Sequence, residues 1–187
     1  MHIKLLYKVY NTYMFSQPIQ NLEELGIAEG QKVADIGSGI GYYAIPVAKK
    51  VGASGKVYAV EVQKDLIAKL KSSAAQEGVH NIDIIWGNAE KIGGTTIHDS
   101  TMDRVIVSNV LFQIEANDRD NLCIEMKRIT KPGGKLLLID WSDNSPLGAQ
   151  SFVPKPLAEA LFTKAGFVVE KTFEAGNHHY GIVFKRV

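Results

Sequence analysis

Short apolar runs and helical periodicities take turns along this chain. Five runs read as buried strands: Lys32 to Ile36, Lys56 to Val60, Ile82 to Trp86, Met102 to Val107 and Leu136 to Asp140. Two further runs, one starting at Phe167 and one spanning Tyr180 to Lys185, close the chain with no helix between them. Between the strands, apolar positions recur at helical spacing. One helix runs from Tyr42 towards Val51, with Pro46 in its opening turns, where a missing N–H matters least. A second spans Asp65 to Gln76, with Leu66, Ile67, Leu70 and Ala74 on one face and Gly78 as its stop. A third covers Asp118 to Thr130 and carries Leu122, Met126 and Ile129, with Cys123 as a small buried apolar residue. A fourth covers Lys155 to Ala165 and stops at Gly166; Asn21 to Leu25 forms a short one. Residues 144–154 are a loop rich in Pro, Gly and Ser, a wall of a pocket.

Ahead of this pattern, Ile3, Leu6, Tyr7, Tyr10 and Met14 recur at helical spacing, with Lys4, Lys8 and Asn11 opposite, and Gln17-Pro18 ends or interrupts the helix. The division is therefore an amphipathic segment over residues 1–20 and a single domain over 21–187. That segment reads as a helix against the core or a neighbouring subunit, as a lid, or as a peripheral lipid contact supported by only two lysines.

The stretch that organises the rest is Val33-Ala34-Asp35-Ile36-Gly37-Ser38-Gly39-Ile40-Gly41. A buried strand ends in a glycine turn, and the helix after it offers free N–H groups to a ligand. A dinucleotide fingerprint would need its third glycine at position 42, which is Tyr42. Asp35 points the same way: a carboxylate at the strand end repels a pyrophosphate and attracts an amino group or a sulfonium. Glu61 follows the next strand, about 20 residues beyond the turn, where an acid accepts from ribose hydroxyls.

The run from Val33 to Gly41 resembles the first motif of the class I S-adenosylmethionine-dependent methyltransferases. The Lys131-Pro132-Gly133-Gly134 turn before Leu136 is similar to a second, and within that family the chain resembles the ubiquinone/menaquinone methyltransferase group. The resemblance implies a Rossmann-like, doubly wound α/β fold: seven mostly parallel strands, the last antiparallel, with helices on both faces. It implies S-adenosylmethionine as cofactor, held by Asp35, Gly37, Ser38, Gly39, Gly41, Tyr42, Glu61, Asn88, Ala89 and Asn109. Asn88 stands where the family commonly has Asp; it keeps a carbonyl acceptor for the adenine amine and loses the charge. Many quinone-group relatives carry histidines near the position of Leu111-Phe112, and this chain has none there.

No catalytic base is identified. Candidates are His178, His179, Tyr180 and Asp140, the first three in the loop before the last strand and Asp140 at the end of the fifth. His178-His179 also reads as a plain hairpin with one exposed and one packed histidine. Further metal ligands are not visible nearby, so no metal is expected. His98 reads as a surface loop residue.

Composition narrows the acceptor. The chain has 187 residues, 45% apolar and 22% charged, with a net charge of +1, so nothing global favours nucleic acid. Its single cysteine, Cys123, excludes an internal disulfide and argues against arsenite methylation. Ser108-Asn109-Val110-Leu111 stands where amino-methylating relatives carry Asn-Pro-Pro-Tyr or Asp-Pro-Pro-Tyr. No segment is long and apolar enough to span a bilayer, and a cytoplasmic location is expected. The expected activity is methyl transfer to a small-molecule acceptor such as a quinone precursor or lipid head group. The alternatives are an adenosylmethionine-binding protein or supporting subunit that transfers nothing, and a nicotinamide oxidoreductase, which Tyr42 and Asp35 disfavour.

Overall fold

The computed structural model describes residues 18–143 and 152–187. The expected helix over Ile3 to Met14 and most of the 144–154 loop lie outside them.

The elements are α1 (Pro18–Leu25), β1 (Lys32–Ile36), α2 (Ala44–Val51), β2 (Lys56–Glu61), α3 (Lys64–Gln76), β3 (Ile82–Trp86), β4 (Met102–Ser108), α4 (Arg119–Ile129), β5 (Thr130–Trp141), α5 (Lys155–Ala165), β6 (Phe167–Glu174) and β7 (His179–Arg186). Two single 3-10 turns, Leu111–Gln113 and Ala116–Asp118, lead from β4 into α4. The seven strands form one sheet in the order β3-β2-β1-β4-β5-β7-β6. β1 to β5 pair in parallel. β7 lies antiparallel between β5 and β6. The seven-stranded, mostly parallel sheet expected from the sequence is the one observed.

The two-residue period of the strands sorts the core into two layers. Val105, Val107, Leu136 and Leu138 pack with Leu122, Met126 and Phe162 of α4 and α5. Ile106, Leu137 and Ile139 point the other way, towards Leu22, Leu25, Val47 and Leu70 of α1, α2 and α3. Cys123 is fully buried, and burial pushes its thiol up to about 12, so it behaves as an apolar residue.

Three boundaries differ from the periodicity by two residues or more. α1 already includes Pro18, ahead of the expected Asn21. α2 starts at Ala44 rather than Tyr42: the glycine turn continues through Tyr43, and the Ile45 N–H already reaches the Gly41 carbonyl at 3.0 Å. β5 pairing begins at Thr130, not Leu136. Thr130 lies opposite Met102 and Lys135 opposite Arg104, so the Lys-Pro-Gly-Gly turn is a four-residue excursion inside the strand, with Gly133 at φ +74°.

Candidate active site

A parallel sheet places its loops for ligands at the carboxyl ends of its strands, where the strand order reverses. Here that point is β1: the chain leaves it towards β2 and β3 on one side and returns to β4 on the other. A cavity of about 300 Å³ opens there. Asp35 to Gly39 follow β1 into it, Glu61 to Gln63 come from β2, Gly87 to Glu90 from β3, and Ser108 to Val110 from β4. The volume lies at the lower end of the range for small-molecule pockets, about 300–1,000 Å³.

The glycine turn is built against its neighbours. The Gly37 and Ser38 N–H groups both donate to the Val60 carbonyl, at 2.9 and 3.1 Å. Gly37 has φ +67°, and a Cβ there would overlap Cγ2 of Val110, so glycine allows the β4 loop to close on the turn. Gly41, grouped with the ligand-binding glycines in the sequence, does not line the cavity. It has φ +98°, and a Cβ would overlap Leu70 Cδ1 and press on Ile45. Its role is to let α2 settle on α3. Gly41→Ala is expected to destabilise the domain by about 1–3 kcal/mol; an unaltered urea midpoint would contradict that packing role.

Two buried acids face the cavity. Asp35 is 2% exposed and Oδ2 has no hydrogen-bond partner. Burial pushes its carboxyl up to about 7, against the pull of the Ala44 N–H, and the charge of Glu61 adds to the rise. Glu61 is spoken for by the backbone. Its Oε2 accepts from the Gly39 N–H at 2.9 Å, and Oε1 accepts from the N–H groups of Val62 and Gln63 at 2.8 and 2.9 Å. A carboxylate has about four acceptor sites. Three are in use, so Glu61 has room for one ligand hydroxyl rather than two in this arrangement.

Two more oxygens in the lining are buried without partners: Ser38 Oγ and Asn109 Oδ1. Asn109 sits at φ +55°, and its backbone is anchored by N–H donation to the Ile139 carbonyl at 2.9 Å. Asn88 and Ala89 reach the cavity, as does Tyr42, which is half exposed. Asn88 Oδ1 already accepts from the Glu90 N–H at 2.8 Å, which leaves it one lone pair for a ligand. Pro18, Gln63, Leu66, Gln113 and Ile114 also line the cavity. Sequence reasoning missed them, since none falls in a motif.

The catalytic candidates lie elsewhere. Asp140 is fully buried and is not among the residues that line this cavity; its Oδ2 accepts from the Phe112 N–H at 3.0 Å and Oδ1 from the Trp141 N–H at 2.8 Å. Burial pushes it up to about 7, partly offset by those N–H groups. It fixes the turn after β4 rather than facing a ligand. Tyr180 donates its hydroxyl to the Val153 carbonyl at 3.0 Å. His179 is buried against Trp141, His178 is half-buried, and His98 is exposed. Among the described residues, no three His, Cys, Asp or Glu converge as metal ligands, and no helix is long and apolar enough to cross a membrane.

Comparisons with known proteins point to a family. Residues 33–134 match the family model described as a methyltransferase domain. Ubiquinone/menaquinone biosynthesis C-methyltransferase UbiE of Haemophilus ducreyi is 30% identical over 118 residues, 63% of this chain and 44% of that protein. Demethylmenaquinone methyltransferase of a Geobacillus species is 28% identical over 127 residues, 68% of this chain and 52% of that protein. The chain thus spans about half the length of these curated relatives. Among solved structures, a SAM-dependent methyltransferase from Aquifex aeolicus superposes with a TM-score of 0.81 at 27% identity, covering 92% of this chain and 90% of that one.

Proposed function

Because the chain belongs to the S-adenosylmethionine-dependent methyltransferases, we propose that it binds that cofactor in the cavity at the ends of β1 to β4. We propose further that it passes the methyl group to a small-molecule acceptor, with a quinol precursor as the first class to test. The observation that carries the reading is the set of buried oxygens without partners, Asp35 Oδ2, Ser38 Oγ and Asn109 Oδ1, all lining one cavity. Buried polar atoms are rarely left unpaired without a functional reason. Three such oxygens, one of them from an acid, suit a ligand that brings donors and positive charge, as an amino acid sulfonium does. The bound cofactor supplies a methyl group already activated by its sulfonium charge. The protein's part is alignment and exclusion of water. Asp35 attracts the cationic end, Glu61 holds the glycine turn and offers one acceptor site, and Asn109 fixes the edge nearest β5. The quinol class rests on the names of the two relatives alone.

Calorimetric titration tests the cofactor. S-Adenosylmethionine and S-adenosylhomocysteine are expected to bind at micromolar concentrations and reduced nicotinamide not at all. Failure of the first two would remove the reading. Formation of S-adenosylhomocysteine with a demethylated quinol separates a transferase from a protein that only holds the cofactor.

A further inference from the structure

A second cavity, of about 720 Å³, opens beyond β5, between the end of that strand, the β6–β7 hairpin and the start of α5. The antiparallel register puts Trp141 of β5 directly opposite His179 of β7. Their rings lie 4.1 Å apart, tilted by 34°, and both line the cavity. Trp141 is 6% exposed and His179 4%, yet neither Trp141 Nε1 nor His179 Nε2 has a hydrogen-bond partner. Nδ1 of the adjacent His178 is also without one. Among the described residues, seven buried side-chain polar atoms lack partners. Three line the first cavity, and these three lie on or beside the second. The same signature that marks the cofactor cavity therefore marks this one.

The two cavities are neighbours. Asn109, Val110, Gln113 and Ile114 line the first. Phe112, within that same turn, packs edge-on against Trp141 of the second, with ring centres 6.4 Å apart. Asp140 holds this shared turn in place through the Phe112 N–H.

We propose that the second cavity is the acceptor subsite, and that Trp141 and His179 hold there an aromatic ring bearing a hydroxyl group. The assignment rests on the methyltransferase reading above. Its chemistry comes from the lining. An indole N–H only donates, so Trp141 needs an oxygen acceptor. A neutral imidazole nitrogen pairs with a hydroxyl in either tautomer, because a hydroxyl both donates and accepts. His179 is neutral near pH 7: burial, and then the neighbouring His178, hold it down at about 4. It is accordingly too weak a base to take a phenolic proton, and acts as a positioning residue. Phe152, Pro154 and Phe173 supply apolar walls against which a flat ring packs. Among the described residues, the charged ones in the lining are Asp143 and Glu174 against Lys155, an excess of one negative charge, which disfavours phosphate and carboxylate ligands.

The test uses the full chain with Trp86→Phe, which leaves Trp141 as the sole indole, since the chain has two tryptophans. The protein is titrated under argon, with and without saturating S-adenosylhomocysteine, with 1,4-dihydroxynaphthalene, naphthalene and 1,4-naphthalenedicarboxylate. The diol is expected to quench Trp141 emission and to bind about tenfold more tightly than naphthalene, the scale of one added hydrogen bond. The dicarboxylate should bind least. Adding His179→Phe keeps the ring stack and removes Nε2, so the preference for the diol should fall to about threefold or less. Calorimetry on Trp141→Phe should show a similar loss, with S-adenosylhomocysteine affinity unchanged in both variants. Equal affinity for diol and naphthalene overturns the subsite even if a variant fails to fold, and so does a preference that survives both substitutions. Absence of S-adenosylhomocysteine binding with the diol still bound overturns the methyltransferase reading instead.

Discussion

Glu61→Ala is expected to lower the stability of the domain by about 2–4 kcal/mol and to weaken S-adenosylhomocysteine binding by about a hundredfold. The size follows from what the carboxylate does. It is 5% exposed and accepts three backbone N–H groups, one from the glycine turn and two from the start of the segment after β2. Alanine leaves all three N–H groups without this acceptor in a site largely shielded from water. The Gly39 bond also ties the turn after β1 to the end of β2, so its loss loosens the wall that a nucleoside would meet. Glu61→Gln makes the argument specific. Its single amide oxygen can serve Gly39 or the Val62 and Gln63 pair, not both ends, and its NH2 meets an N–H on the other side. It should fall between wild type and alanine in both measurements. Denaturant midpoints and calorimetric affinities read the two effects separately. If alanine moved neither, the three hydrogen bonds would carry no net energy and Glu61 would have no part in the site.

Much of this was legible in the sequence because it is local. The apolar run from Val33 to Ile36 and the glycine spacing after it specify strand, turn and helix start within a dozen residues. They place Asp35, Gly37, Ser38 and Gly39 on the cavity. Glu61 follows from the same logic one unit later. Gly41 shows the limit of spacing: all three glycines have positive φ, and only the three-dimensional path tells that the third faces Leu70 rather than a ligand. The β5 start was missed because pairing through Thr130 depends on Met102 of a different strand. The meeting of Trp141 with His179, 38 positions apart in sequence, depends on the β5–β7 register, and no local pattern carries that register. The same holds for Val110, Gln113 and Ile114, ordinary residues brought to the cavity by a turn that buried Asp140 organises from behind.

Cofactor affinity should depend on pH through Asp35, and Asp35→Asn should remove that dependence. In the free domain the carboxyl titrates at about 7, raised mainly by burial, with the negative Glu61 adding to the rise. A ligand that brings positive charge to Oδ2 favours the ionised form and lowers that value when bound. Binding then expels a proton whenever Asp35 starts protonated. Affinity for S-adenosylmethionine should therefore fall about tenfold between pH 8 and pH 6 in wild type. Asp35→Asn should bind about a hundredfold more weakly at pH 8 and show no such slope, since the amide cannot ionise. Stability carries the opposite sign. A carboxyl raised from 3.8 to about 7 by folding favours the folded state below that range, and the contribution is lost as pH rises through 7. Asp140, also raised to about 7 by burial, adds a second loss of the same sign. The ligand-free domain should melt at lower temperature at pH 8 than at pH 6. Asp35→Asn should raise the melting temperature at pH 8 while leaving the share of the slope that belongs to Asp140 and the smaller, opposite share of His179, whose lowered value costs stability as pH falls below its ordinary 6.5. One substitution would thus weaken the ligand complex and strengthen the empty domain, a combination that simple structural damage does not produce. A wild-type affinity that stays level from pH 6 to pH 8, together with an unchanged melting temperature in Asp35→Asn, would mean that Asp35 is not the buried acid facing the ligand.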